Sequence, residues 1–280
     1  MTDEDRDRVT DAHRPAIVEV QGVVVRRGGR TILGPLDWTV RDGERWVVLG
    51  PNGSGKTTLL SILGLELWPT AGTVDVLDAR YGRVDSREVR RRIGSAGSAV
   101  EERFRDDLTP ITLVMTARHA ATEPWWHVYT NEDRTRARGL AERFGLTAVA
   151  DHAYSTLSAG ERRRISIARA LMPDPDLLLL DEPAASLDLG ARETLIDDLT
   201  VLAGQPRPAA IVLVSHHVEE IPPGFTHGLV LADGRAVAAG GLETVLCDEV
   251  LSRAFGLPIS VDWHEGRVRA RKAAPDQGGR

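Results

Sequence analysis

The sequence predicts an α/β fold built around a parallel sheet, and two observations carry this prediction. Residues 177–180 (LLLL) and 210–215 (AIVLVS) are short, continuous apolar runs, which are typical of strands buried on both faces of a parallel sheet. Strand-like and helix-like segments also alternate along most of the chain, as they do in folds where helices cover both faces of such a sheet.

The first half of the chain holds a tail, strands and then helices. Residues 1–15 are polar and charged, and we expect them to be a disordered tail. Residues 16–25 are rich in β-branched side chains and predict a strand. Two further strands are expected on either side of the turn residues Asp42 and Gly43. Strand patterns then fade, and residues 99–156 predict an inserted helical subdomain.

The second half of the chain is predicted to complete the same domain. Residues 228–240 predict a hairpin around an Asp-Gly turn. Residues 241–268 predict an added helix and a short strand, so the folded domain is expected to span residues 16–268. Residues 269–280 are expected to be a second disordered tail.

Composition excludes several classes of protein. The net charge of −6 argues against a general nucleic-acid binder, whose surface is basic. Cys247 is the single cysteine and has no internal partner for a disulfide, which favours a reducing compartment. The charged N-terminus is unlike a signal peptide, and no apolar run approaches the ~18 residues that a membrane-spanning helix needs. We therefore expect a cytoplasmic protein, or one that reaches a membrane only through a partner.

Residues 50–57 (GPNGSGKT) fit the phosphate-binding pattern G-x-x-x-x-G-K-[ST], between a predicted strand and a predicted helix over residues 57–63. Glycines let backbone N–H groups surround an anion, and the start of the helix adds its dipole. Of 35 basic residues only Lys56 and Lys272 are lysines, and a compact ammonium fits beneath a closed loop better than a planar guanidinium. A glycine-rich turn that binds nothing is the disfavoured alternative. The candidate phosphate-binding residues are Gly50, Pro51, Asn52, Gly53, Ser54, Gly55, Lys56, Thr57 and Thr58.

Two carboxylates follow the buried run at residues 177–180. Asp181 ends the predicted strand, where parallel sheets place their ligand sites, and is a candidate ligand for Mg²⁺ together with the hydroxyl of Thr57. Glu182 comes next and is placed to act as general base on a water. Alone, the pair could also be solvent-exposed acids at a strand–turn junction.

Residues 156–171 (TLSAGERRRISIARAL) contain the capping-box pattern S-x-x-E, in which Ser158 starts a helix. LSAGE before a basic, alanine-rich helix also resembles the signature motif of ATP-binding cassette (ABC) ATPases. AASLDLGAR resembles the D-loop of that family, with Asp188 as its acid, and VSHHVEE resembles its switch segment, with His216 at the histidine position. The resemblance extends over about residues 17–268.

The resemblance implies a P-loop NTPase with a RecA-like core, an antiparallel β subdomain and an inserted helical subdomain. It implies Mg²⁺-dependent hydrolysis of ATP, with Lys56, Glu182 and His216 as catalytic residues. It also implies an ATP-dependent head-to-tail dimer, expected to be a homodimer. In such a dimer Ser158 and Gly160 contact the ATP held by the other copy, and Asp188 belongs to the same site.

The chain departs from the family at two positions. Ser98 stands where the family has a glutamine that contacts Mg²⁺, and Gln21, Gln205 and Gln277 lie elsewhere. Ser98 is therefore a candidate metal ligand, with Glu101 or a water as alternatives. Arg27 lies near the position of the aromatic residue that stacks on adenine. A guanidinium plane can stack on a base, and an arginine facing solvent is an equally weighted alternative.

The favoured function is the ATPase subunit of a bacterial ABC transporter, resembling those of metal-chelate and molybdate importers. Integral-membrane permease subunits would be separate chains, and the protein would sit at the inner face of the cell membrane. The alternative is a soluble ABC ATPase acting on nucleic acid or ribosomes, which the single cassette and acidic charge disfavour. Trp125, Trp126 and Tyr129 form an aromatic cluster that is either an interface anchor or, as we favour, ordinary packing of the helical subdomain.

Overall fold

The computed structural model describes residues 14–205 and 209–273. Three sheets and nine α-helices make up this described part. The strands are β1 (Ala16–Arg27), β2 (Arg30–Arg41), β3 (Arg45–Leu49), β4 (Ala71–Val76), β5 (Ala79–Arg80), β6 (Ile93–Gly97), β7 (Leu177–Asp181), β8 (Ala210–Val214), β9 (His227–Ala232), β10 (Arg235–Gly241), β11 (Ile259–His264) and β12 (Arg267–Lys272). The helices are α1 (Lys56–Leu63), α2 (Ser86–Arg90), α3 (Ser98–Glu101), α4 (Pro110–Thr116), α5 (Asn131–Arg143), α6 (Ala159–Leu171), α7 (Leu189–Ala203), α8 (Leu242–Val245) and α9 (Asp248–Phe255).

The central sheet has six strands in the order β10-β9-β3-β8-β7-β6. All neighbours except the edge strand β10 are parallel, which confirms the predicted α/β fold. Its strands are apolar on both faces because both faces are covered. In β7, Leu177 and Leu179 belong to the core beneath α1 and the antiparallel sheet, whereas Leu178 and Leu180 belong to the core on the opposite face.

A second, antiparallel sheet has the order β2-β1-β4-β5. The two strands predicted around Asp42 and Gly43 exist, but they do not form the hairpin that an Asp-Gly turn suggests. β2 pairs with β1, and β3 lies between β8 and β9 in the other sheet. The reason is burial: four of the five residues of β3 are buried, so it is a central strand.

From residue 98 to residue 171 the chain forms helices and turns, in the region where a helical subdomain is expected. α4 begins after Thr109, whose hydroxyl accepts from the backbone N–H of Thr112. α5 begins with a complete capping box between Thr130 and Asp133. These caps satisfy N–H groups that have no partner within the helix.

The C-terminal part differs from the prediction of one helix and one strand. It contains two short helices, α8 and α9, and the antiparallel hairpin β11–β12. Because β12 continues to Lys272, the domain extends beyond the predicted boundary at residue 268, and residues 269–272 are strand rather than tail. At the other end Pro15 accepts a hydrogen bond from Asp42. Residues 1–13 and 274–280 of the predicted tails lie outside the described residues. No helix among residues 14–205 and 209–273 is long and apolar enough to span a bilayer.

Candidate functional site

The candidate residues converge at the carboxyl ends of three adjacent strands, β3, β8 and β7. The loop of residues 50–55 follows β3, Asp181 ends β7, and His216 follows β8 by two residues. Parallel strands end at the same edge of a sheet, so motifs far apart in sequence meet there. This is the edge where open α/β sheets bind their ligands.

Two glycines of the loop are required by its backbone path. Gly50 has φ 151°, and a Cβ at this position would lie 2.0 Å from the carbonyl oxygen of Leu231. Gly55 has φ 99° and precedes α1; a Cβ there would lie 3.0 Å from the carbonyl oxygen of Ile32. α1 has no side-chain cap. Its first N–H groups are therefore available to an anion, and the helix dipole favours negative charge at this end.

Lys56 lies under the loop with 5% of its surface exposed. Its Nζ donates to the carbonyl oxygens of Gly50 at 2.8 Å and Pro51 at 3.0 Å. Burial lowers the pKa of Lys56, and the charges of Glu182 and Asp181 partly oppose that shift. An ammonium held on neutral carbonyls, rather than on a carboxylate, can be transferred to phosphate oxygens without breaking an ion pair.

Thr57 and Asp181 face each other across the site, with Thr57 Oγ1 3.5 Å from Asp181 Oδ1. Burial is the main cause that raises the pKa of Asp181, and the carboxylate of Glu182 adds to it. A cation bound between the two oxygens would stabilise the ionised form of Asp181. No group of three or more His, Cys, Asp or Glu side chains in the described chain could hold a metal. One hydroxyl and one carboxylate nevertheless suit Mg²⁺, which keeps several waters and completes its shell with phosphate oxygens.

Glu182 stands in a strained position beside a histidine. Its φ is 46°, in the left-handed region that costs a non-glycine residue about 1 kcal/mol or more. Its backbone N–H donates to Val214 at 3.0 Å, which ties it to the end of β8. The Oε1 atom lies 3.2 Å from His216 Nδ1. No hydrogen bond joins the two side chains, and the buried Nδ1 atom has no hydrogen-bond partner. Both side chains are about one-third exposed, so water can reach the carboxylate.

The signature segment starts α6 as the capping box predicts. Glu161 N–H donates to Ser158 Oγ at 3.3 Å, and Ser158 N–H donates to Glu161 Oε2 at 2.8 Å. Gly160 faces α7, where a Cβ would lie 3.3 Å from the Cβ of Ala191. Asp188 caps α7 by accepting from Ala191 N–H at 2.8 Å. Within one chain, Ser158 and Asp188 therefore cap the N-termini of two adjacent helices.

The two positions that depart from the ABC pattern lie near the same edge. Ser98 is exposed and follows Gly97, which pairs with Asp181 at the ends of β6 and β7. Arg27 is exposed at the end of β1 and pairs with Arg30 in the β1–β2 hairpin. The same hairpin contacts the phosphate-binding loop through Ile32.

Sequence reasoning missed two features of the site. Glu101 and Arg163 form an ion pair at 2.9 Å with side chains only 16% and 11% exposed, and burial raises the pKa of Glu101. The pair joins residues 62 positions apart, and no local pattern signals it. Ser54 Oγ is buried without a hydrogen-bond partner, so this hydroxyl remains able to form one.

The aromatic cluster of the helical region is mostly exposed. Trp125 is 59% and Trp126 is 83% exposed, and Val128 beside them is 84% exposed. Tyr129 alone packs against the core. The favoured prediction of ordinary packing is therefore wrong for both tryptophans, because they lie in a loop before α5 that leaves them outside the core.

Comparison with known proteins agrees with this geometry. A family model described as "ABC transporter" matches residues 33–185. The chain is 37% identical over 260 residues to the uncharacterized ABC transporter ATP-binding protein YlmA of Bacillus subtilis (strain 168), with 92% of this chain and 98% of that protein covered. It is 34% identical to the hemin import ATP-binding protein HmuV of Rhodococcus jostii (strain RHA1), with 88% and 82% covered. Its fold is similar to a dimeric ATP-binding cassette, MJ0796, bound to ADP and Pi, with TM-score 0.70, 25% identity, and 80% and 98% covered.

Proposed function

The chain belongs to the ABC transporter family, and from this membership we propose that it is the subunit that binds ATP and hydrolyses it in the presence of Mg²⁺ to drive a bacterial transporter. The observation that carries the proposal is the convergence of Lys56, the pair Thr57 and Asp181, and the pair Glu182 and His216 at one sheet edge. Each supplies a different requirement of phosphoryl transfer: phosphate binding, metal binding and activation of water.

ATP would enter with its phosphates at the start of α1. The glycine-rich backbone and the ammonium of Lys56 would bind the phosphates, and the free hydroxyl of Ser54 can join them. Thr57 and Asp181 would hold Mg²⁺, which supplies charge neutralisation on the phosphate oxygens when bound. We assign to Ser98 a contact with that metal, with Glu101 or a water as the alternatives, and to Arg27 stacking on the base.

Glu182 would accept a proton from the attacking water. The carboxylate is about one-third exposed, so such a water can reach it. His216, 3.2 Å away, would orient the water or donate to a phosphate oxygen. Neither side chain is committed to a structural hydrogen bond with the other, so both can reorganise around the substrate.

The start of α6 could also bind ATP, namely the ATP held by the phosphate-binding loop of a partner copy. Ser158 caps one N–H group of α6, and the remaining first-turn N–H groups, including that of Gly160, are available to an anion from a partner copy. We propose a head-to-tail dimer in which two ATP molecules are held between the loop of one copy and α6 of the other. Asp188 begins the adjacent helix and would lie at the same interface.

Permease subunits on separate chains would complete the transporter, and the protein would act in the cytoplasm at the membrane. The exposed pair Trp125 and Trp126 supports this, because clustered tryptophans outside a core are typical anchors of interfaces.

The proposal is tested by activity and by partner capture. The purified parent chain should hydrolyse ATP only with Mg²⁺. The Glu182→Gln chain should lose hydrolysis while still binding ATP and forming dimers by light scattering. Tagged Glu182→Gln protein, loaded with ATP in detergent-solubilised membranes of its own organism, should retain a polytopic membrane protein. A matched Trp125→Ser/Trp126→Ser version should retain less of it.

Hydrolysis by Glu182→Gln at the parental rate would refute the assignment of the base. Capture of ribosomal proteins or nucleic acid, with no membrane protein, would refute the transport function and leave only the ATPase.

A further inference from the structure

The C-terminal hairpin β11–β12 packs on the segment that follows His216. That segment forms a 3₁₀ turn at Val218–Glu220, and β12 lies against it. Arg267, the first residue of β12, donates from Nη2 to the main-chain oxygen of Glu219 at 3.0 Å. The backbone N–H of Ala270 donates to Glu219 Oε1 at 3.2 Å. The hairpin therefore holds Glu219 through both its main chain and its side chain.

The same guanidinium also reaches α7. Its two terminal nitrogens donate to the two carboxylate oxygens of Glu193, Nη2 at 3.3 Å and Nη1 more closely. This fork geometry is one that lysine cannot reproduce. The hydrogen bonds raise the pKa of Arg267 and lower the pKa of Glu193, so both remain charged at neutral pH. Since Asp188 caps α7, Arg267 joins the segment after His216 to the helix that begins at Asp188.

The segment that follows His216 is also held by hydrogen bonds among its own residues and Ser215. The buried Ser215 hydroxyl donates to the buried carboxylate of Glu220 and accepts from the backbone N–H of His217 at 3.0 Å. The imidazole of His216 makes no such bond, since its Nδ1 has no hydrogen-bond partner. The imidazole contacts the ring of His217, and the backbone on either side of His216 helps to set its position opposite Glu182. Arg267 is one of the two attachments of the hairpin to that backbone, both at Glu219.

We propose that Arg267 is a positioning residue for hydrolysis. By donating hydrogen bonds to both Glu219 and Glu193, it holds the segment that contains His216 and Glu219 against α7. The inference rests on the proposed function and adds a residue that none of the ATPase motifs contains. Among the described residues, the hydrogen bonds and ion pairs of Arg267 go to Glu193 and Glu219, and none goes to the phosphate-binding loop or Asp181. Its loss should therefore affect turnover and leave nucleotide affinity largely unchanged.

The test is steady-state hydrolysis by the full chain carrying Arg267→Met, with Arg271→Met as matched control on the same strand. Arg271 is exposed, and within the described part of the chain its ion pair is with the exposed Asp262 of the hairpin. We expect kcat to fall roughly tenfold in Arg267→Met, since a catalytic group misplaced by 1 Å costs about a hundredfold and we expect the lost attachment to displace His216 by less than that. KM should stay within about twofold. Arg267→Lys should recover part of the loss, and Arg271→Met should match the parent.

A double variant separates positioning from general destabilisation. If Arg267 acts through His216, adding Arg267→Met to His216→Ala should lower kcat no further. A further drop equal to that of the single variant would overturn the inference. Glu193→Gln, which weakens the same attachment from the side of α7, should reproduce a smaller loss even if Arg267→Met folds poorly. Unchanged kcat in both variants would refute this inference alone, whereas absence of turnover in the parent chain would refute the proposed function and this inference with it.

Discussion

Lys56→Met should abolish the response of the protein to ATP while leaving the fold intact. In the nucleotide-free chain the ammonium makes two charged hydrogen bonds, to Gly50 and Pro51, each worth about 1.5–3 kcal/mol. Burying the ammonium costs several kcal/mol. The two terms nearly offset each other, so the melting temperature without nucleotide should change by no more than about 3 °C.

When nucleotide is bound, Lys56→Met has a large effect. Losing about two charged hydrogen bonds to phosphate weakens binding by roughly 3–6 kcal/mol, which is about a hundredfold to ten-thousandfold in Kd. At a concentration 100 times the parental Kd, a non-hydrolysable ATP analogue stabilises the parent by about 2.7 kcal/mol, or about 5–10 °C in Tm for a chain of this size. Lys56→Met at the same concentration should shift by less than about 2 °C.

Thermal unfolding with and without the analogue and Mg²⁺ measures both quantities. Lys272→Met is the matched control, because it removes the other lysine of the chain, which is exposed at the end of β12. It should respond as the parent does. A full ligand-dependent shift in Lys56→Met would refute the reasoning, since the ammonium would then contribute nothing to phosphate binding.

Three further predictions address individual positions. Burial raises the pKa of Asp181 above the ordinary 3.8, so its ionised form is disfavoured in the folded state. Asp181→Asn should therefore raise the Tm of the nucleotide-free protein at pH 7, and this gain should disappear as the pH falls toward 3.8; a gain independent of pH would contradict it. Gly50→Ala should lower the free energy of unfolding by about 3 kcal/mol or more, because the added Cβ would lie 2.0 Å from Leu231 O. Gly53→Ala, which has φ 79° but no atom within 4 Å, should cost less in the same denaturant titration. Arg27→Ala should weaken ATP and GTP binding to different extents in calorimetry, and unchanged affinities for both nucleotides would exclude stacking on the base.

Local patterns in the sequence were enough to predict the parts of the site that are contiguous. The loop before α1, the carboxylates after β7 and the cap of α6 are each specified by residues within about one turn of one another, and the structure forms all three. The alternation of Leu177 and Leu178 between two cores also follows from a run that is apolar at every position.

Pairings between distant segments could not be predicted in the same way. An Asp-Gly turn predicts a reversal of the chain, but it does not say whether the flanking strands pair with each other, and burial of β3 decided that they do not. Residues 269–272 of β12 fall in the predicted tail because they are polar, and only the pairing with β11 and the contact with Glu219 show that they are folded. Arg267 and Glu193 lie 74 residues apart, so their contact leaves no local signal.

Two of the buried polar atoms that have no hydrogen-bond partner lie at the candidate site, beside two other groups that a ligand could stabilise. Ser54 Oγ and His216 Nδ1 are buried without partners, Lys56 is held on neutral carbonyls, and Glu182 keeps a strained backbone. In a hydrophobic core, each of these features would lower the free energy of unfolding, and nothing would compensate for it. They follow the ends of adjacent parallel strands, β3, β7 and β8, where one polyanion with its metal could satisfy them together. The backbone around them is hydrogen-bonded to Val214, Ser215 and the hairpin, so the groups that hold this backbone are distinct from the candidate catalytic side chains.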